Sequence, residues 1–261
     1  MKKKLILVSL LCLAFVIGGC KSETKANTNT NEKNKIIVGL DDTFVPMGYR
    51  DKAGKIVGLD VDLAKEFGKR ANVDIEFQPI DWAMKETELN SGNIDLIWNG
   101  YAMNPERSEK VNFSTPYLEI GQAIIVLKDS PIETKNDLAG KTVAAQQSSS
   151  AVTILSQDAP ELLKSFKGGE MVTYASNNDV FNDLDSKRSE AIIVGETYGR
   201  YTIKQKGEDN YRILKENFGV ENIAVGVRKA DKELLKQVNQ ALKEMEEDGT
   251  KEKIVNKWFS E

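Results

Sequence analysis

Ile36-Ile37-Val38-Gly39-Leu40 is an unbroken apolar run of strand length, and Leu59, Leu63 and Phe67 then fall at four-residue spacing, with Asp62, Lys65, Glu66 and Lys69 off that face. The first pattern predicts a buried strand and the second an amphipathic helix. The theme repeats with a strand over Val73 to Phe77, a helix over Asp81 to Leu89, and a buried strand over Ile94 to Trp98. A second series opens with the apolar stretch Ile120 to Leu127. It continues through strands at Thr142 to Ala145, Met171 to Tyr174 and Ala191 to Val194, with helices near Ser149 to Gln157 and Asn178 to Leu184 between them. Ile223 to Val227 reads as one more strand, and Leu234, Leu235, Val238, Leu242 and Met245 mark a long amphipathic helix. Alternation of this kind predicts an α/β fold of parallel sheets covered by helices. No fixed-period repeat is visible, which argues against a solenoid.

Two such units imply a bilobal molecule whose cleft lies at the carboxyl ends of the strands, where open α/β sheets take ligands. The lining loops are then Asp41 to Tyr49, Asp81-Trp82, Asn99 to Arg107, Gln146 to Ala151 and Gly195 to Tyr198.

The N-terminus follows a different pattern. Lys2, Lys3 and Lys4 precede the apolar run Leu5 to Ile17, then Gly18, Gly19 and Cys20, the order of a secretory leader. The run is too short to span a bilayer. Ile17-Gly18-Gly19-Cys20 resembles the bacterial lipobox, which implies that Cys20 is lipidated and becomes the first mature residue, and that Cys12 is discarded with the leader. Residues 21–35, KSETKANTNTNEKNK, hold Ala26 as their only apolar side chain, so this stretch reads as a disordered tether with a reach of roughly 20 Å.

Composition narrows the chemistry. The 261 residues are 40% hydrophobic and 29% charged, which excludes a mainly disordered chain. A net charge of -4, with no basic block beyond the leader, argues against a nucleic-acid partner. Histidine is absent, which removes zinc sites of the usual kind and Ser-His-Asp triads. With both cysteines in the first twenty residues, no disulfide or catalytic thiol is expected in the body. Any enzymology would rest on Asp, Glu, Lys, Arg or Tyr, and neither a metal nor a cofactor is expected.

Several loop residues have two readings. Arg107 is suited to clamp a carboxylate with its planar fork, or is a surface arginine at a helix start. Asp41 and Asp42 could receive an ammonium group, or are turn residues after a strand. Phe44, Tyr49, Trp82, Trp98 and Tyr101 could wall a small-molecule pocket, although Trp98 lies within a strand and reads better as core. Ser148, Ser149 and Ser150 make either a modest anion site or an ordinary helix cap.

At these residues the chain becomes recognisable. Gly58-Leu59-Asp60-Val61-Asp62-Leu63, Asn104-Pro105-Glu106-Arg107 with Val111 to Tyr117, Asp137-Leu138-Ala139-Gly140-Lys141, and Asp248-Gly249-Thr250 with Lys257-Trp258-Phe259 together resemble the solute-binding proteins of polar amino-acid ABC importers, bacterial family 3, from about Lys35 to Phe259. The resemblance implies a two-lobed, type II periplasmic-binding-protein-like fold with crossing strands near Gln122 to Leu127 and Ile223 to Val227. It divides the chain into a signal peptide at 1–19, the lipidated cysteine and tether at 20–34, a discontinuous first lobe at 35–122 and 226–261, and a second lobe at 123–225.

Carried over position by position, the resemblance puts the ligand α-carboxylate on Arg107, with backbone groups of Gly100 and Ala102 beside it. Phe44 and Trp82 would sandwich the ligand side chain, Asp41 would face a polar group, and Gln146, Ser149 and Ser150 would close from the second lobe. Two positions depart from the family. Ala102 stands where a hydroxyl is usual, and Gly195 stands where an aspartate usually takes the α-ammonium, which leaves Glu196, or else Asp41, as the candidate, or implies a ligand that is not a standard α-amino acid.

The expected function is capture of a polar amino acid by hinge closure and its delivery to a permease and ATPase complex, by a monomer lipid-anchored, palmitate included, on the extracytoplasmic face of the membrane. A lyase or dehydratase on the same fold, using Glu196 or Asp41, and a ligand sensor are the alternatives.

Overall fold

The computed structural model describes residues 35–259. The leader, Cys12, Cys20 and the tether to residue 34 lie outside the described residues, as do 260 and 261.

The first unit opens with β1 (Lys35–Leu40), followed by a small antiparallel sheet of β2 (Thr43–Phe44), β3 (Gly48–Arg50) and β4 (Ile56–Val57). Helix α1 (Leu59–Ala71) starts at Gly58, whose φ of 142° and approach to the Met47 carbonyl, 2.2 Å from where a Cβ would stand, leave room for glycine alone. The helix buries Leu59, Leu63 and Phe67, the face its spacing predicts. Then come β5 (Asp74–Pro79), a 3₁₀ turn at Trp82–Met84, α2 (Lys85–Ser91), β6 (Leu96–Ile97), α3 (Pro105–Lys110) and β7 (Asn112–Phe113).

The second unit comprises β8 (Leu118–Leu127), β9 (Val143–Gln146), α4 (Ser150–Gln157), α5 (Pro160–Ser165), β10 (Val172–Tyr174), α6 (Asn177–Asp185), β11 (Ala191–Gly195), α7 (Glu196–Lys206) and β12 (Tyr211–Ile223). The chain then returns to the first unit through β13 (Gly226–Val227), α8 (Lys232–Glu247) and α9 (Thr250–Phe259).

Each unit is built on a five-stranded sheet, in the order β5-β1-β6-β13-β7 and β10-β9-β11-β8-β12. Neither sheet is purely parallel, although the alternation predicts parallel sheets. In the first, β13 runs antiparallel to β6 and β7, because the chain re-enters that sheet from the other unit. In the second, β8 lies antiparallel to both β11 and β12.

Strands β8 and β12 are the crossing strands. Ile120 of β8 packs in the first core with Val38, Phe67, Trp98 and Met245, whereas Ala123 to Val126 pack in the two cores flanking the second sheet. Ile223, the last residue of β12, is back in the first core. The second crossing therefore runs through Tyr211–Ile223 and not through the expected single strand Ile223 to Val227, which divides into the end of β12 and β13. Trp98 is core, 1% exposed, with its ring about 6 Å from those of Phe67 and Tyr117. Truncating a core residue such as Leu63 to alanine costs about 2 to 5 kcal/mol at sites of this kind.

Candidate functional site

The loops at the strand ends of both sheets meet in one cleft, enclosing about 530 Å³ of atom-free space, its mouth included. Asp41 follows β1 directly. Its backbone N–H donates to Asn99 Oδ1 (3.1 Å), and its Oδ1 accepts from the Thr43 N–H (2.9 Å) and hydroxyl (2.6 Å), a local Asx turn. Its other oxygen, Oδ2, accepts from Gln146 Nε2 in the second lobe at 2.7 Å. Burial pushes the Asp41 carboxyl above its ordinary range, opposed by these hydrogen bonds.

Gly100 has a left-handed φ of 58°, and a Cβ there would stand 2.7 Å from Phe44 Cε1, so the loop can pass under the Phe44 ring only as glycine. Its N–H donates to Asp60 Oδ2 at 2.6 Å. Asp60 is fully buried behind the site, and desolvation, opposed by hydrogen bonding, pushes its pKa up to about 7. Phe44 stacks on Tyr198 of α7 with 5.3 Å between centroids and 6° between planes, which joins the lobes by an aromatic contact. Trp82, held by a turn that Asp81 caps through the Ala83 N–H, meets Tyr101 edge-on at 5.9 Å.

Arg107 is positioned by the local sequence. Asn104 caps α3 by accepting the Arg107 N–H at 2.8 Å, Pro105 occupies the first turn, and the guanidinium turns inward to 4% exposure. Nη1 donates to the Ala102 carbonyl (2.9 Å) and Ser150 Oγ (3.4 Å), and Nη2 donates to the Ser148 carbonyl (3.1 Å). The guanidinium carbon lies 4.8 Å over the Tyr101 ring. Arg107 is therefore a buried, oriented fork and not a surface arginine. Glu221, on β12, accepts from Gln122 Nε2 at 2.8 Å and is raised by burial, with the Arg107 charge opposing.

From the second lobe, Gln146 also donates Nε2 to the Ala175 carbonyl (2.9 Å), while its Oε1 accepts from Asn177 Nδ2 (2.8 Å). Ser149 is the N-cap residue of α4, yet its side chain makes no capping bond, and its Oγ is buried without a partner among the described residues.

The cavity lining thus brings together nine of the ten expected ligand-binding residues: Asp41, Phe44, Trp82, Gly100 and Ala102 on one side, with Arg107, Gln146, Ser149 and Ser150. Glu196 is the exception and a correction. Strand β11 ends at Gly195, which does line the cavity, but Glu196 begins α7 and points outward, where Arg200 Nη2 pairs with it at 2.6 Å. Glu196 is an acidic first-turn residue of α7, and Asp41 is left as the carboxylate that lines the cavity. Residue patterning missed Gln122, Asn177 and the apolar wall of Ile120, Ile193 and Ile223, and gave no role to Asn99 within a loop expected to line the cleft. Asn177 follows β10 at a helix start, so the strand-end rule could have found it.

Fold and site define a two-lobed protein that encloses a small ligand between α/β lobes. The family model for bacterial extracellular solute-binding proteins, family 3, matches residues 36–261, and the chain belongs to this family. It is 33% identical over 261 residues to the arginine-binding extracellular protein ArtP of Bacillus subtilis (strain 168), covering 100% of this chain and 99% of that one. A Streptococcus pneumoniae ABC uptake transporter substrate-binding protein, solved with bound histidine, superposes with a TM-score of 0.84 at 37% identity, over 87% of this chain and 93% of that one. An ancestral amino acid-binding protein, a precursor of cyclohexadienyl dehydratase, superposes at 0.78 with 33% identity, over 87% and 96% of the two chains.

Proposed function

We propose that this chain is the substrate-binding component of an ABC importer, and that it captures a polar amino acid by closing its lobes on it and hands it to a permease with its ATPase. The observation that carries this reading is the charge content of the cavity: among the lining residues one guanidinium, Arg107, and one carboxylate, Asp41, match the two charges of a zwitterion. Arg107 takes the α-carboxylate, Asp41 takes the ammonium or a cationic side-chain group, and Trp82 and Phe44 supply apolar walls. Leaving either ligand charge unpaired in a closed cleft would cost several kcal/mol.

The same content favours binding over turnover. Among the lining residues no histidine, lysine, tyrosine or second carboxylate stands beside Asp41 to share acid–base work with it. We also propose that the protein is a monomer anchored on the extracytoplasmic face of the membrane by Cys20, with palmitate among its acyl chains; the lipobox-like residues before Cys20 and the polar tether behind it support the anchor.

A thermal-shift screen of the protein against the proteinogenic amino acids and L-cystine tests the proposal. A ligand at a hundred times its Kd stabilises by about 2.7 kcal/mol. A shift with a polar amino acid recovered unchanged supports the reading; no shift with any of them, or chemical conversion of the ligand, overturns it.

A further inference from the structure

Lys85 is 2% exposed, yet it lies outside the cavity lining. It is the first residue of α2, where a cation opposes the helix dipole, so helix formation does not explain it. Its Nζ donates to the Trp82 carbonyl of its own turn at 3.1 Å and pairs with Glu86 at 3.2 Å. It also donates across the cleft to the Ser148 carbonyl at 3.3 Å. That carbonyl is the one that Arg107 Nη2 reaches at 3.1 Å. Two buried cations of one lobe therefore converge on a single backbone oxygen of the other. Ser148 holds this oxygen in place with a left-handed φ of 55°, uncommon for a residue with a side chain.

The cluster is continuous. Glu86 accepts from the Tyr101 hydroxyl at 2.8 Å, and Tyr101 lies under the Arg107 guanidinium. Lys85 is thus tied through Glu86 and Tyr101 to the residue proposed to hold the ligand.

We propose that Lys85 is a latch residue for closure: with Arg107 it grips the Ser148 carbonyl of the second lobe, and it sets the population of the closed cleft without touching the ligand. The inference rests on the proposed inter-lobe binding site, and it assigns part of the closing free energy to the lobes themselves. Burial, with the Arg107 charge as the second cause, pushes Lys85 down to about 8, which leaves it protonated near neutral pH. Replacing a buried ion pair as a whole by uncharged side chains of similar size is often neutral or stabilising for the fold, whereas removing one partner strands the other charge, here Glu86. A latch can therefore be separated from a structural role, because stability and closure respond differently when Lys85→Met is combined with Glu86→Gln.

The readout needs no ligand. Gln157 Nε2 donates to Glu106 Oε2 across the cleft at 3.5 Å, and both side chains are exposed. Glu106→Cys and Gln157→Cys, in the full chain with Cys12 and Cys20 changed to serine, can be joined by a short bis-maleimide only while the cleft is closed. We expect Lys85→Met combined with Glu86→Gln, which still accepts from the Tyr101 hydroxyl, to slow this cross-linking about tenfold, Lys85→Arg to keep part of the rate, and the melting temperature of the double variant to stay at or above that of its parent. An unchanged cross-linking rate overturns the proposal, and so does a loss of thermal stability that accompanies the slower rate. A failed amino-acid screen would leave this result standing, and a failed latch would leave the ligand reading standing.

Discussion

Gln146 Nε2 lies 2.7 Å from Asp41 Oδ2, so a neutral amide of the second lobe closes directly on the carboxylate that lines the cavity. Glu196, the second-lobe carboxylate expected to take a ligand ammonium, lies away from the cavity and pairs with Arg200. In the proposed reading, head-group recognition rests on Arg107 and Asp41, both outside the second sheet. We expect Asp41→Asn, which keeps the acceptor oxygen for Thr43 but removes the charge, to weaken amino-acid binding at least tenfold by calorimetry, about 1.4 kcal/mol. Glu196→Gln should change affinity less than twofold, since its carboxylate pairs with Arg200 away from the cavity. The opposite ranking would return the ammonium to Glu196.

Gly100→Ala should strain the loop twice, through a left-handed φ of 58° and through a Cβ placed 2.7 Å from Phe44. We expect a loss of about 1 to 3 kcal/mol in urea unfolding, together with weaker binding, because the Phe44 ring that yields is a cavity wall. Undiminished stability would mean that the loop relaxes freely.

Asp60 supplies a pH signature. Its carboxyl is raised in the folded chain from 3.8 to about 7, so between those values the folded state holds a proton that the unfolded state has lost. The contribution of this group to stability is full below 3.8 and is lost as pH rises through about 7. Asp60→Asn keeps an acceptor for the Gly100 N–H and cannot ionise. The melting temperature of Asp60→Asn should exceed that of the wild type by a few degrees at pH 8 and match it near pH 4. A variant that melts lower at pH 8 would show that the ionised carboxylate stabilises the fold.

Much of this arrangement is legible in the sequence, for physical reasons that vary by element. The four-residue spacing of Leu59, Leu63 and Phe67 and the stripe of Val238, Leu242 and Met245 mark buried helix faces, and the structure buries them. The five strand-end loops predicted to line the cleft each contribute to the cavity. Strand β12 escapes the pattern because it is a largely exposed strand at the sheet edge, interrupted by register shifts between Ile213 and Val220, so its residues lack the apolar alternation of a half-buried strand. Glu196 is misplaced because residue order does not tell which way a side chain faces where β11 gives way to α7. Lys85 is invisible for a related reason: in Trp82-Ala83-Met84-Lys85-Glu86 it reads as part of a polar helix face, and its contacts with Trp82 and with Ser148 of the second lobe exist only in the fold.

The most direct test of the account is calorimetric titration of the wild type, Arg107→Ala and Arg107→Lys with the amino acid that the thermal screen selects, at equal melting temperature. Losing one partner of a buried charge pair costs about 2 to 5 kcal/mol. The account predicts that Arg107→Ala lowers affinity at least 30-fold and that Arg107→Lys recovers only a small part, since a point ammonium cannot replace the fork that reaches Ala102, Ser148 and Ser150 while facing the cavity. Wild-type affinity in Arg107→Ala would contradict it.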